Sequence, residues 1–126
     1  MIDLRDPRLA ERLRRRTPEG RYEISDIELV LAVRQLDAAG DQHGSRVLCE
    51  ALLMRSWPEF QRHTSGLGHR PDLREEAIAN MAERLLREVK DPKEQFISQN
   101  YIHAVRCLCV DCLLYTSPSP RDRQKS

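Results

Sequence analysis

Apolar residues recur three and four positions apart along most of the chain, a spacing that predicts α-helices. The clearest stripe lies in residues 72–90, where the apolar positions are Leu73, Ala77, Ile78, Met81, Leu85 and Val89. Similar stripes predict helices over residues 7–16, over residues 26–38, from about residue 46 and from residue 92 to at least 111. No stretch alternates apolar and polar residues over five or more positions, so no strand is expected. The pattern therefore predicts an all-α fold of about five helices in a compact bundle.

Polar residues at the ends of these stripes predict where the helices start and stop. Ser25 with Glu28, and Asp72 with Glu75, have the spacing of capping boxes, in which each side chain satisfies a free backbone N–H. Gly40 follows the second stripe and is the expected left-handed C-cap.

Pro58 interrupts the third stripe and predicts a kink or a new helix start there. Ser56 is the expected cap of that new start, and Trp57 and Phe60 are expected to pack into the core around it. The fifth stripe reaches residue 111 without any stop signal.

The composition favours one soluble domain. The chain has 126 residues, of which 33% are charged and 5% aromatic. No apolar run approaches the ~18 residues of a membrane span, and residues 1–5 lack the apolar core of a signal peptide. We therefore expect a cytoplasmic protein without a membrane partner.

The last fifteen residues are expected to differ in origin from the rest. Residues 112–122 read CLLYTSPSPRD, which resembles the conceptual translation of a transposase-type sequencing adapter over eleven consecutive codons. We therefore expect residues 112–126 to be a non-native, disordered tail on a truncated protein, although a genuine Ser/Pro-rich linker has the same composition. The adapter also supplies the last base of codon 111, which leaves residue 111 open between Asp and Glu.

Removing that tail changes the charge and the cysteine inventory. Residues 1–111 keep 18 Lys+Arg and 19 Asp+Glu, a net charge of −1, so that no overall nucleic-acid signature remains. His103, Cys107, Cys109 and Cys112 resemble a compact zinc cluster, but Cys112 belongs to the adapter match. Cys107 and Cys109 point ~200° apart on a helix and cannot share a metal ion. No metal site and no cofactor are predicted.

The remaining candidates for chemistry are weak, and the pattern favours a binding protein over an enzyme. The histidines lie in unrelated contexts, and no nucleophile stands beside a base in a recognisable motif. No small-molecule substrate is therefore expected. The first helix is rich in arginine and is either a nucleic-acid arm or a solvated surface; its cations are Arg5, Arg8, Arg12, Arg14, Arg15 and Arg16.

The order of elements in residues 46–111 carries a resemblance to a known family. A long helix with a Trp-Pro pair precedes a short Gly loop and a helix that opens with Pro-Asp-Leu-Arg-Glu-Glu-Ala-Ile at residues 71–78. The next helix carries aromatic residues and closes on Val110-Asp111. This order resembles region 2 of the bacterial sigma-70 family, with residues 76–79 in the place of the family's Asp-Leu-Val-Gln. Ala79 replaces the usual Gln, and Ala82 stands where an aromatic is common.

The resemblance implies a fragment of a transcription initiation factor that binds RNA polymerase core and the promoter −10 region. The implied polymerase-binding residues are Asp72, Glu75, Glu76, Arg84 and Arg87, which would pair with a charged coiled coil. The implied DNA-binding residues are Asn100, Tyr101, His103 and Arg106, with Tyr101 stacking on an unpaired base and Arg106 meeting a phosphate.

Each of these roles has a plainer alternative. Tyr101 lies on the apolar stripe and is equally placed for core packing, and the charges at residues 72–87 also fit helix-surface pairs. The resemblance divides the chain into a helical extension (residues 1–44), a truncated region 2-like domain (residues 45–111) and the tail (residues 112–126). The alternative function is a stand-alone helical protein-interaction domain.

Overall fold

A computed structural model describes residues 2–116 and shows an all-α fold. Six α-helices form in this range, together with one turn of 3-10 helix at Ser65–Leu67. The helices are α1 (Leu9–Arg14), α2 (Asp26–Ala38), α3 (Gln42–His63), α4 (Pro71–Lys90), α5 (Gln95–Gln99) and α6 (Tyr101–Thr116). The only β-type pairing in this range is an isolated bridge between Arg16 and Tyr22. The predicted fold class is confirmed.

Local capping fixes the start of α2 and the corner between α2 and α3. The Ser25 hydroxyl accepts a hydrogen bond from the Glu28 N–H at 3.2 Å, which confirms the predicted cap of α2. Gly40 ends the helix with φ of +80°. Asp41 then caps α3 by accepting from the Gly44 N–H at 2.9 Å, so that α3 begins four residues earlier than expected. The expected domain boundary at residue 44 therefore falls inside α3.

Helix α3 is continuous through Pro58, so the predicted restart of the helix with Ser56 as its cap is wrong. Proline removes one backbone donor, and here the carbonyl that loses its partner belongs to Met54. Pro58 and Met54 are both exposed, so water can reach that carbonyl and the helix persists. Phe60 is buried as expected, but Trp57 keeps 42% of its surface exposed.

Helix α4 begins with Pro71 at its first position, and its N-cap residue is Arg70, whose side chain makes no capping bond. The predicted capping box of Asp72 and Glu75 is therefore wrong, because the fixed φ of proline already starts the helix one residue earlier. The predicted stripe is largely confirmed: Ala77, Met81, Leu85 and Val89 are buried, whereas Leu73 and Ile78 are half-buried.

The predicted fifth helix is two helices, separated at Asn100, where φ is −136° and ψ is 64°. Asparagine suits such a break because its side chain competes for backbone hydrogen bonds. The inward stripe is Ile97, Tyr101, Val105 and Leu108, and all four residues are buried. Helix α6 continues to Thr116, so the disorder predicted from residue 112 is wrong for residues 112–114. Residues 117–126 lie outside the described residues.

All six helices contribute to one hydrophobic core. The N-terminal helix α1 enters it through Leu9 and Leu13, and α2 has its most extensive contacts with α3. Residues 1–44 therefore pack against the later helices in the same core. None of the helices within residues 2–116 is long and apolar enough to cross a membrane.

Candidate interaction surface on α4 and α6

Helix α4 carries the outward charges that the resemblance singles out. Asp72, Glu75, Glu76 and Arg87 are all exposed, and we call these four residues the α4 face. Spacings of three, four and eleven residues place them along one side of the helix. The acidic residues lie near the N-terminus of α4 and Arg87 near its C-terminus, an arrangement that the helix dipole stabilises.

The carboxylates of the α4 face have little internal pairing. Asp72 contacts Arg70 at 3.4 Å, and its hydrogen bond with that guanidinium holds its pKa below the ordinary value. Glu75 and Glu76 form no ion pair with any residue between 2 and 114. These two carboxylates are therefore available to a partner.

Arg84 differs from the other predicted polymerase-binding residues. Its guanidinium contacts Glu88 at 2.8 Å and Asp111 at 3.1 Å, which joins α4 to α6. The hydrogen bond with Glu88 is the main reason that the Arg84 pKa is raised. Either Asp or Glu at residue 111 supplies a carboxylate here. Arg84 is thus engaged within the fold, and it lies outside the α4 face.

Tyr101 is buried in the core, with 3% of its surface exposed. Its hydroxyl is 2.6 Å from the Ser56 hydroxyl and donates to the Leu52 carbonyl at 3.3 Å. Burial raises the pKa of this phenol. The ring therefore cannot stack on a nucleic-acid base in this fold. Its position agrees with the alternative role of core packing, which the apolar stripe also predicted.

The other three predicted DNA-binding residues are exposed. Asn100 lies between α5 and α6, and His103 packs edge-on against Phe96 with ring centroids 5.5 Å apart. The Arg106 Nε contacts Glu59 of α3 at 3.3 Å. Arg84 reaches α6 at Asp111, which is not one of the predicted DNA-binding residues, whereas His103 contacts α5 and Arg106 contacts α3.

Glu59 and the outer side of α3 are features that the sequence pattern missed. The Glu59 side chain, 12% exposed, meets Arg106, Arg62 and His63. Spacings of three and four residues could have predicted the last two contacts, but nothing in the sequence points to Arg106. Just before Glu59 on α3, Met54 (68% exposed) and Trp57 (42% exposed) form an apolar patch with Leu53 and Pro58.

Two of the six arginines assigned to the first helix form ion pairs within the N-terminal segment. Arg12 contacts Asp6 at 3.2 Å and Glu23 at 3.6 Å, and Arg15 contacts Glu11 at 3.3 Å and Glu23 at 3.6 Å. The pKa of Asp6 is lowered, first by the Arg8 backbone N–H and then by Arg12. This pairing favours the solvated-surface interpretation over a nucleic-acid arm.

Among the described residues, no three or more His, Cys, Asp or Glu side chains come together as they would around a metal ion. Cys107 is exposed, whereas Cys109 is buried, so the two thiols diverge as expected. Burial raises the pKa of Cys109 to about 12. Comparison with protein family models, with curated proteins and with solved structures finds no match to the chain.

Proposed function

We propose that the chain is part of a sigma-70-like transcription initiation factor and that its α4 face binds RNA polymerase core. The observation that carries the proposal is the pair of exposed carboxylates at Glu75 and Glu76, which have no ion pair in the described fold. They lie on a helix whose opposite side is buried at Ala77, Met81 and Leu85. The order of helices that resembles region 2 supports the same assignment.

Helix α4 is held in a fixed orientation, and its outward charges form an ordered row. Ala77, Met81 and Leu85 are completely buried, which fixes the rotation of α4 and holds the α4 face outward. A fixed row of charges that runs from acidic to basic complements a coiled coil with the opposite pattern. Such complementarity contributes mainly to association rate, register and partner choice.

The DNA-facing part of the proposal is confined to exposed side chains. Asn100, His103 and Arg106 can reach a strand that passes α6, and Tyr101 is left out because it is buried. One guanidinium that is already paired with Glu59 gives little phosphate attraction. The polymerase contact, and not direct DNA affinity, is therefore the main function proposed for this chain.

The test is a binding titration of the fluorescently labelled full chain with a bacterial RNA polymerase core enzyme. The double variant Glu75→Lys/Glu76→Lys should bind about tenfold more weakly or worse, since reversal replaces two attractions of ~0.2–1 kcal/mol by repulsions. The matched control Glu19→Lys/Glu94→Lys changes the same charge at two exposed positions outside the α4 face, and it should bind like the wild type.

Unchanged affinity in the α4 variant would contradict the proposed surface, and no binding of the wild-type chain would contradict the function. The apolar patch around Met54 and Trp57 favours the second candidate, a helical protein-interaction domain with another partner. In that case a Met54→Lys variant should lose the partner, whereas the α4 variant should keep it.

A further inference from the structure

His103 and Cys107 form a pair of metal-type ligands on the outer side of α6. They are four residues apart and both exposed, and the His103 Nε2 lies 3.9 Å from the Cys107 Sγ. Phe96 packs edge-on against the imidazole at an interplanar angle of 85°, which restrains the ring. The pair therefore has a set orientation without belonging to the core.

The geometry of the pair is close to that of a tetrahedral zinc site. Zn–S and Zn–N bonds of ~2.3 and ~2.05 Å at the tetrahedral angle place the two ligand atoms about 3.6 Å apart. The separation in the fold exceeds this by a few tenths of an ångström, which a small rotamer adjustment removes. Residues at i and i+4 on one helix face are a recurring arrangement for zinc ligands.

The described part of one chain supplies only these two ligands. Cys109 and Cys112 are buried on the opposite side of α6, and Arg106, the neighbouring cation, is drawn toward α3 by Glu59. No third ligand-type side chain of the described residues joins the pair. Structural zinc sites nearly always have four protein ligands, so half of the shell is missing.

We propose that His103 and Cys107 are one half of a zinc site that a second copy of this chain completes with the same two residues. A two-fold axis through the ion gives two imidazoles and two thiolates, which is a self-complementary contact. Val110 (49% exposed) lies on the same side of α6 as the pair and becomes partly covered when the two helices meet.

The binding step involves no change of oxidation state. Each Cys107 thiol loses its proton to solvent and forms a Zn–S bond, and each His103 Nε2 lone pair forms a Zn–N bond. Two thiolates neutralise the charge of one Zn²⁺ ion, which suits an interface that excludes water. Because protons compete with the metal for these ligands, acid should weaken the complex.

The zinc bridge covers the part of α6 that holds His103 and Arg106, so the bridged form cannot present that surface to DNA. This inference goes beyond the proposed function and does not depend on it. The mass of the protein and the spectrum of the bound metal are measured on the isolated chain, without polymerase or DNA, so the outcome is independent of the proposed function.

The test uses the full chain without an affinity tag, in a phosphine reductant that prevents disulfide formation. Sedimentation equilibrium should show the 14.7 kDa chain in EDTA and twice that mass with half an equivalent of Zn²⁺. Co²⁺ in place of Zn²⁺ should give the intense visible bands of a tetrahedral site and a near-ultraviolet thiolate-to-metal band. Excess EDTA should reverse both changes.

His103→Ala and Cys107→Ser should each abolish the metal-dependent dimer, and Cys107→His should keep the dimer but lose the thiolate band. His69→Ala, at an exposed histidine in the turn before α4, should behave like the wild type. A mass that stays at one chain, a one-to-one monomeric adduct, a Co²⁺ spectrum without the thiolate band, or a dimer that survives both ligand deletions would each overturn the inference.

Discussion

Arg55 ties the N-terminal segment to α3, and its removal should cost a large part of the folding free energy. Its side chain is 4% exposed. Its guanidinium donates to the Ile24 carbonyl at 2.7 Å, to the Leu13 carbonyl at 2.6 Å and to the Asp26 carboxylate at 3.0 Å. It also stacks on the Tyr22 ring with its central carbon 3.8 Å from the ring centroid.

The magnitude follows from burial. Removing one partner of a buried ion pair costs ~3–5 kcal/mol, because the groups left behind lose their compensation. The three hydrogen bonds do not add separately, and Asp26, with 18% of its side chain exposed, can recover some hydration. We therefore expect Arg55→Ala to lower the free energy of unfolding by ~3–5 kcal/mol, out of a typical total of ~5–15 kcal/mol.

Urea unfolding followed by circular dichroism measures this loss directly. With an m value of about 1.5 kcal/mol/M, the midpoint should fall by about 2 M or more. Arg55→Lys keeps the charge but loses the planar fork, so it should fall between Arg55→Ala and the wild type. The control Arg62→Ala, at a side chain that is 61% exposed, should cost less than ~1 kcal/mol. An Arg55→Ala midpoint within about 0.5 M of the wild type would refute the reasoning.

Three further predictions concern buried groups and DNA. Burial raises the pKa of Cys109 from its ordinary value of 9.0 to about 12, and it also raises the pKa of Tyr101. At these pH values only the unfolded chain ionises, so the free energy of unfolding should fall as pH rises from about 9 to 11. Each of the two groups contributes up to ~1.4 kcal/mol per pH unit. Tyr101→Phe should therefore make this pH dependence shallower in urea titrations. In iodoacetamide labelling read by mass spectrometry, Cys107 should react first and the buried Cys49 and Cys109 only on unfolding; equal rates in the native protein would contradict the burial. Promoter DNA should bind weakly or not at all in mobility-shift assays, because the charge balance is near neutral. Tight binding that persists at high salt would contradict this prediction.

The periodic stripes were sufficient to predict the fold class and most of the core. The stripe of α4 and the inward positions Tyr101, Val105 and Leu108 follow from spacing alone, because a helix must bury its apolar side. The start of α2 was equally legible, since Ser25 and Glu28 form a local motif that no distant contact alters. Local signals and tertiary packing agree at these places.

The wrong predictions concern positions where a contact distant in sequence, or access of solvent, determines the structure. Pro58 looks like a break, but the affected carbonyl faces water and α3 continues. The helical spacing places Arg84 on the solvent side of α4, yet its guanidinium pairs with Asp111 of α6. The resemblance implied that Tyr101 stacks on DNA, but the ring is buried and its hydroxyl lies beside that of Ser56, forty-five residues earlier. Sequence spacing reports the face of a helix but not what the neighbouring helix places there.

The most direct test of the account is site-specific photo-crosslinking from the α4 face to RNA polymerase core. Ala79 is exposed on α4 between Glu76 and Glu83, and a photoreactive amino acid placed there should crosslink to the charged coiled coil of the polymerase. The same amino acid at residue 19, in the exposed turn after α1, should not crosslink. A crosslink at residue 79 that disappears in the Glu75→Lys/Glu76→Lys background is the result we predict. No crosslink from residue 79, or one that the charge reversal leaves unchanged, would contradict the central claim.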